Sequence, residues 1–395
     1  AVQSGIEFIK DDEQNTLEDQ LDLVVIEAPT FQEANRAKAF AEKLAVLGLE
    51  DVQVDRHGNA FGVRRGKGNT GKAIVIEGHL DTVFPMGTVT DRPEPQDGVY
   101  HCPGIADDTR GLVAVLSVLR AFEQSKIETH YDIIFMGTAR EEGMGGFGGI
   151  KGFLADHDNI VGCINIDGAS LDSITYQATG MKTFAVNFYG IGGHAYGSFA
   201  KVANPLHAAA RAVAKIADIQ VPASPKTTYA VSNFHAGNDA GVHAIVPQAT
   251  IKMNMRSDAQ DELDIMYGKA LECIKQACDE ETARWGMDTI TYDIVTYVDV
   301  KAGTQSMDAP IVQAIYTLIK DTGIEPSFGN GGNTNATPPI AKGVPAVCIG
   351  GGGNAGMVHT TKEWWDSTDA YKGPQLIFYF ANLLAGIEGV SESIL

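Results

Sequence analysis

No apolar run in this 395-residue chain is long enough to cross a bilayer as a helix, although 44% of its residues are hydrophobic. Basic residues are also scarce. Thirty Lys and Arg face fifty Asp and Glu, leaving a net charge of −20. That sign argues against a nucleic-acid partner and against retention on anionic lipid. Cysteine is sparse, scattered and odd in number: Cys102, Cys163, Cys273, Cys278 and Cys348. No Cys-x-x-Cys occurs, so neither a disulfide framework nor a thiolate zinc site is expected. Free cysteines favour the cytoplasm. A first residue Ala1, with no apolar leader after it, also fits a removed tag or signal peptide, and so a periplasmic or secreted protein. There is no fixed-period repeat. The length and apolar content instead support a sizeable core and about two domains.

The stretch Gly78-His79-Leu80-Asp81-Thr82-Val83 follows Ala73-Ile74-Val75-Ile76, a short β-branched run that reads as a buried strand. On an extended chain, residues two apart share a face. His79 can therefore bind a metal while Asp81 fixes its tautomer. The strand sits in an alternating series. Helical spacing marks Thr16 to Glu27, Phe31 to Leu47 and Thr109 to Gln124, and Lys151 to Asp156 reads as a short helix. Strands are expected at Tyr131 to Met136 and Val161 to Ile166. This is an α/β pattern with a mixed, largely parallel sheet flanked by helices.

Near Gly180 the pattern changes to two-faced strands (Thr183 to Tyr189, Thr228 to Phe234, Ala249 to Met255) with helices at Asn204 to Ile219 and Asp261 to Trp285. The reading is an inserted α+β domain over 180–298 between two parts of a first domain, 1–179 and 299–395. The last part holds a helix at Ala309 to Thr322, a Gly/Asn/Pro loop, the strand Ala346 to Ile349 and a closing helix at Tyr371 to Leu384.

Four further stretches carry chemistry. Gly104-Ile105-Ala106-Asp107-Asp108 puts two Asp at the mouth of the Thr109 helix. One can cap it, which leaves the other free to bridge metals. Arg140-Glu141-Glu142-Gly143 follows a strand, and its adjacent side chains diverge, so one Glu can take a metal while the other faces water. Asp167 follows the buried strand that ends at Ile166, and His359 follows a run of four glycines. His79, Asp107, Glu142, Asp167 and His359 thus lie at strand ends or loop mouths of one expected sheet, where open α/β folds build their sites. Nitrogen and oxygen donors without thiolate suit a hydrolytic pair of zinc, cobalt or manganese ions. One shared Asp, with a His and a carboxylate on each metal, uses all five. Glu141 is left over for the general base that such a site needs.

As an ordered set, Gly-His-Leu-Asp-Thr-Val, Gly-Ile-Ala-Asp-Asp, Glu-Glu-Gly, Ile-Asp-Gly and Val-His-Thr resembles the di-zinc metallopeptidase family of peptidase T, glutamate carboxypeptidase, aminoacylase and succinyl-diaminopimelate desuccinylase, over nearly the whole chain. The resemblance implies a zinc held by His79, Asp107 and Asp167 and a second held by Asp107, Glu142 and His359. It implies that Asp81 orients His79 and that Glu141 is the acid/base. It also implies a catalytic domain with an inserted lid or dimerisation domain. From that domain His194 would reach the substrate carbonyl, often from the partner subunit, and Arg256 would bind a substrate carboxylate. The sequence departs from the family at Thr109-Arg110, at Ala244-Ile245-Val246-Pro247 and at Asn333-Thr334-Asn335.

The expectation is a homodimeric di-zinc exopeptidase acting on small peptides, tripeptidase- or carboxypeptidase-like. Two alternatives stand beside it: an N-acyl-amino-acid deacylase, and an inactive relative kept as a binding or scaffold protein.

Overall fold

The computed structural model describes residues 1–285, 290–329 and 333–395; the expected Gly/Asn loop before Asn335 lies partly outside them. The chain forms two compact units, one of 1–178 with 304–395 and one of 179–303. No helix among the described residues is long and apolar enough to cross a membrane.

The first unit is built on six strands in the order Glu50–Val54, Ala60–Arg64, Asp132–Thr138, Ala73–His79, Ile160–Ile166, Ala346–Ile349. The last four run parallel, and the first two join them as an antiparallel edge. This is the mixed, largely parallel sheet that the alternating pattern predicts. His79 pairs with Thr138 in register, so both central strands end at one level. Asp167 follows Ile166 directly, and its N–H donates to the carbonyl of Ile349 at 3.0 Å. The carboxyl ends of the parallel strands therefore share one edge, and the candidate residues follow them.

Helix Thr109–Ser125 explains why that edge is fixed. Thirteen of its residues are buried, including the run from Thr109 to Leu119. It packs on Ile74, Ile76, Ile133 and Phe135, with Phe122 edge-on to Phe378 of helix Lys372–Ala385 at 4.7 Å between ring centres. Gly78 and Gly111 permit the approach. A Cβ on Gly111 would stand 2.3 Å from the Asp108 carboxylate, and one on Gly78 would stand 2.8 Å from it. The helix mouth is thereby pressed against the end of the His79 strand.

A small antiparallel sheet joins Asn354–Gly356, Trp364–Asp366, Val99–His101 and Pro95–Gln96. Its strands are two or three residues long, below the length at which alternation shows in a sequence. It ties the loop that leads to Asp107 to the turn that carries His359. An opening helix, Val2–Asp11, also precedes the first expected one.

The second unit is a four-stranded antiparallel sheet, Thr227–Ala236, Gln248–Ser257, Gly180–Tyr189, Thr291–Val300 in spatial order. Helices Pro205–Ala217 and Gln260–Trp285 cover one face, closing a core of Phe184, Val186, Phe188, Ile251, Met253 and Met255. Asn204 caps the first of these helices by accepting from the N–H of Leu206.

Candidate metal centre

His79 is almost wholly buried. Its Nε2 lies 2.9 Å from Asp107 Oδ1, and its Nδ1 lies 2.9 Å from the backbone carbonyl of Asp81. That carbonyl fixes the tautomer: Nδ1 carries the hydrogen and Nε2 is free to bind a cation. The Asp81 carboxylate stands 3.6 Å away and is committed elsewhere. It accepts from Thr30 Oγ1 at 2.9 Å, from the N–H of Glu141 at 2.9 Å and from the N–H of Glu142 at 3.0 Å. Asp81 thus steers His79 mainly through its main chain, while its side chain holds the backbone of both glutamates.

Asp107 and Asp108 divide the two roles left open by the sequence. Asp108 is the helix cap, accepting from Gly111 N at 3.0 Å and from His79 N at 2.8 Å. Asp107 faces the cluster. Its Oδ1 meets His79, and its Oδ2 lies 2.9 Å from His359 Nε2. His359 Nε2 is also 2.9 Å from Glu142 Oε1. Donor atoms of His79, Asp107 and Asp167 lie within 4.8 Å of one another, as do those of Asp107, Glu142 and His359. His79, Glu141 and Glu142 form a third such group, so both glutamates reach the same place.

The electrostatics fit cations in these positions. Burial pushes the Glu141 carboxyl well above its ordinary range, and burial with the Asp107 charge pushes Asp167 up to about 7. Asp107 goes the other way: burial would raise it, but His359 and His79 hold it below the usual carboxylate range. Asp107 and Glu142 push His359 up to about 10. Several carboxylates crowded on two imidazoles, with oxygen and nitrogen donors only, could hold a pair of borderline divalent ions, whose charge would offset the crowding.

Two residues without a motif signal support the loops. Glu363 is fully buried and accepts from the N–H groups of Gly104, Ala106 and Asp107 at 2.9 to 3.1 Å. Glu33 accepts from Phe31 N at 2.8 Å and from Arg140 N at 3.1 Å. Each is an ordinary acidic residue in sequence, and each acts on a segment far along the chain.

In the second unit, His194 and Arg256 are both exposed. His194 Nδ1 accepts from the N–H groups of Tyr196 and Gly197, each at 3.2 Å, so its Nε2 carries the hydrogen and points out as a donor. Arg256 donates to Asn254 Oδ1 at 3.2 Å and makes no ion pair among the described residues.

Comparison with known proteins places this arrangement. Succinyl-diaminopimelate desuccinylase of Burkholderia cenocepacia is 27% identical over 343 residues, 82% of this chain and 86% of that protein. Two crystal structures, each 20% identical, share the fold. A tripeptidase of Staphylococcus aureus matches with a TM-score of 0.75 over 94% of this chain and 98% of that one. Aminopeptidase PepT of Bacillus cereus matches with a TM-score of 0.74 over 93% and 98%. The model of peptidase family M20/M25/M40 matches residues 75–382, and the chain belongs to that family of peptide and amide hydrolases.

Proposed function

We propose that the protein is a dinuclear metallo-exopeptidase that trims small peptides, with Glu141 as general acid/base. One observation carries the reading: Asp107 is shared by two donor triads, and a buried glutamate outside both lies beside them. His79, Asp107 and Asp167 would hold one divalent ion and Asp107, Glu142 and His359 the other, zinc first, with cobalt or manganese also suited. When bound, the pair supplies Lewis acidity to the substrate carbonyl and to an attacking water. Glu141 accepts the proton of that water and returns it to the leaving amine. Its main-chain N–H is anchored on Asp81, so the carboxylate works from a fixed base. The outward Nε2–H of His194 is a donor suited to the oxyanion.

Loaded protein is expected to carry two divalent ions per chain, and removing them with a chelator should abolish turnover. Metal analysis giving one equivalent or none would sink the dinuclear reading. A peptide-library digest followed by mass spectrometry tests the exopeptidase assignment and shows which end is trimmed. The desuccinylase relative favours a second reading, hydrolysis of N-acyl amino acids by the same chemistry. Acyl-amino acids in the same digest separate the two.

Arg256 would bind a free substrate carboxylate through paired N–H groups. Arg256→Ala should cost about 1.5–3 kcal/mol on substrates with a free carboxylate and much less on amidated ones. Equal losses on both, in parallel kcat/KM measurements, would make Arg256 a structural residue.

A further inference from the structure

We infer that the metal centre opens through an apolar rim that selects substrates with large apolar side chains beside the scissile bond. The inference rests on the hydrolase reading of the His79, Asp107 and His359 cluster and names its substrate class.

The chain has a large acid excess, yet five exposed residues within two positions of the centre's groups or of their hydrogen-bond partners are apolar. Phe31 is 61% exposed and Met357 is 52% exposed, and Val83, Met144 and Val358 are exposed as well. Each is tied closely to a group of the centre. Val358 and Met357 are one and two residues from His359, Met144 is two from Glu142, and Val83 is two from Asp81. Two residues of chain span at most about 7 Å. Phe31 follows Thr30, whose hydroxyl donates to Asp81 at 2.9 Å. Arg140, beside the glutamates, is turned away, its guanidinium donating to the carbonyl of His57; the nearest exposed positive residue on the His359 turn is Lys362, three residues on.

The backbone at this rim is unusual too. Phe31 has φ 74°, Arg140 60°, Met357 56° and His359 64°. A bulky residue in the left-handed region is an outlier that the surroundings must hold. At Phe31 the holder is visible. Glu33 takes the Phe31 N–H with the same oxygen that takes the Arg140 N–H, next to Glu141. The glutamate segment and the Phe31 turn are therefore set by one carboxylate, with the ring left in solvent. Solvent-exposed apolar groups on the segments that carry a polar centre are what an apolar substrate group would cover.

The test uses metal-loaded Glu141→Gln protein, in which bound peptide is not turned over quickly, and calorimetric binding of trileucine, triserine and triglutamate. Trileucine is expected to bind about 10–100-fold more tightly than the other two. Phe31→Gly suits the positive φ and keeps the turn. It should narrow that gap about threefold or more, while Phe31→Leu keeps most of it. Equal affinities, a preference for triglutamate, no binding of trileucine, or a gap unchanged by Phe31→Gly would each overturn the inference. Hydrolysis by the wild-type protein is scored separately. Selective binding of trileucine without cleavage of any peptide would overturn the exopeptidase reading and leave the apolar rim standing. Cleavage of all three peptides with equal affinities would do the reverse.

Discussion

Glu141→Gln is expected to lower kcat by roughly 10²–10⁴-fold while both metals stay bound. The amide is nearly isosteric with the carboxylate, so it opens no cavity at this buried position. The anchor on Asp81 uses the main-chain N–H and survives the change. What is lost is the capacity to take a proton. Glu142→Gln should fail differently. Its Oε1 is the atom beside His359 Nε2, and a neutral amide oxygen is a poorer ligand for a divalent ion. Metal affinity should fall first, and excess metal should restore part of the rate. The adjacent pair is a sharp test because both glutamates are within reach of His79. Metal loss in Glu141→Gln with retained metal in Glu142→Gln would reverse the two roles.

Much of this site was legible in the chain because each donor lies where a short pattern changes. His79 and Asp167 end or follow β-branched strands, Asp107 precedes a helix, and the two glutamates follow a strand before glycines. Local sequence reports such boundaries well. Which of two neighbours does what is a tertiary matter. Asp107 and Asp108 read alike, and only the packing of Gly78 against Gly111 shows Asp108 turned inward as cap. Glu363 left no signal because its partners are more than 250 residues earlier. The small sheet that joins the Asp107 and His359 loops carries no sequence signal because its strands are too short to alternate.

The departures from the family pattern have structural uses of their own. Arg110 is buried, donating to the carbonyls of Gly351 at 2.8 Å and Ala370 at 2.7 Å. It ties the Thr109 helix to the glycine run before His359. Asn335 donates to Glu77 at 3.0 Å and to Thr138 at 2.6 Å, closing a buried polar group beneath the strand ends. Burial pushes Glu77 up to about 7. Ala244 pairs with His194 in a two-residue ladder and supplies no amide side chain there. The first two departures therefore belong to the scaffold, and the third leaves an alanine beside a proposed substrate donor.

Mixing two inactive variants should restore activity. The proposal is that the protein works as a dimer and that His194 serves the partner's metal centre. His194 sits in a glycine-rich turn, held by two backbone N–H groups, with its remaining N–H exposed. Its unit also offers two sheet edges, Thr227–Ala236 and Thr291–Val300, that a second copy could extend. A two-fold arrangement closes such a contact. His194→Ala chains keep Glu141 and lack the donor; Glu141→Gln chains keep the donor and lack the base. In a mixed dimer acting in trans, one of the two centres has both groups intact. Random exchange makes about half the dimers mixed, so activity should rise towards roughly a quarter of wild type. If His194 acts on its own chain's centre, every centre still lacks one group and no activity returns. Exchange itself is followed with tagged chains, so absence of recovery after proven exchange excludes the trans arrangement.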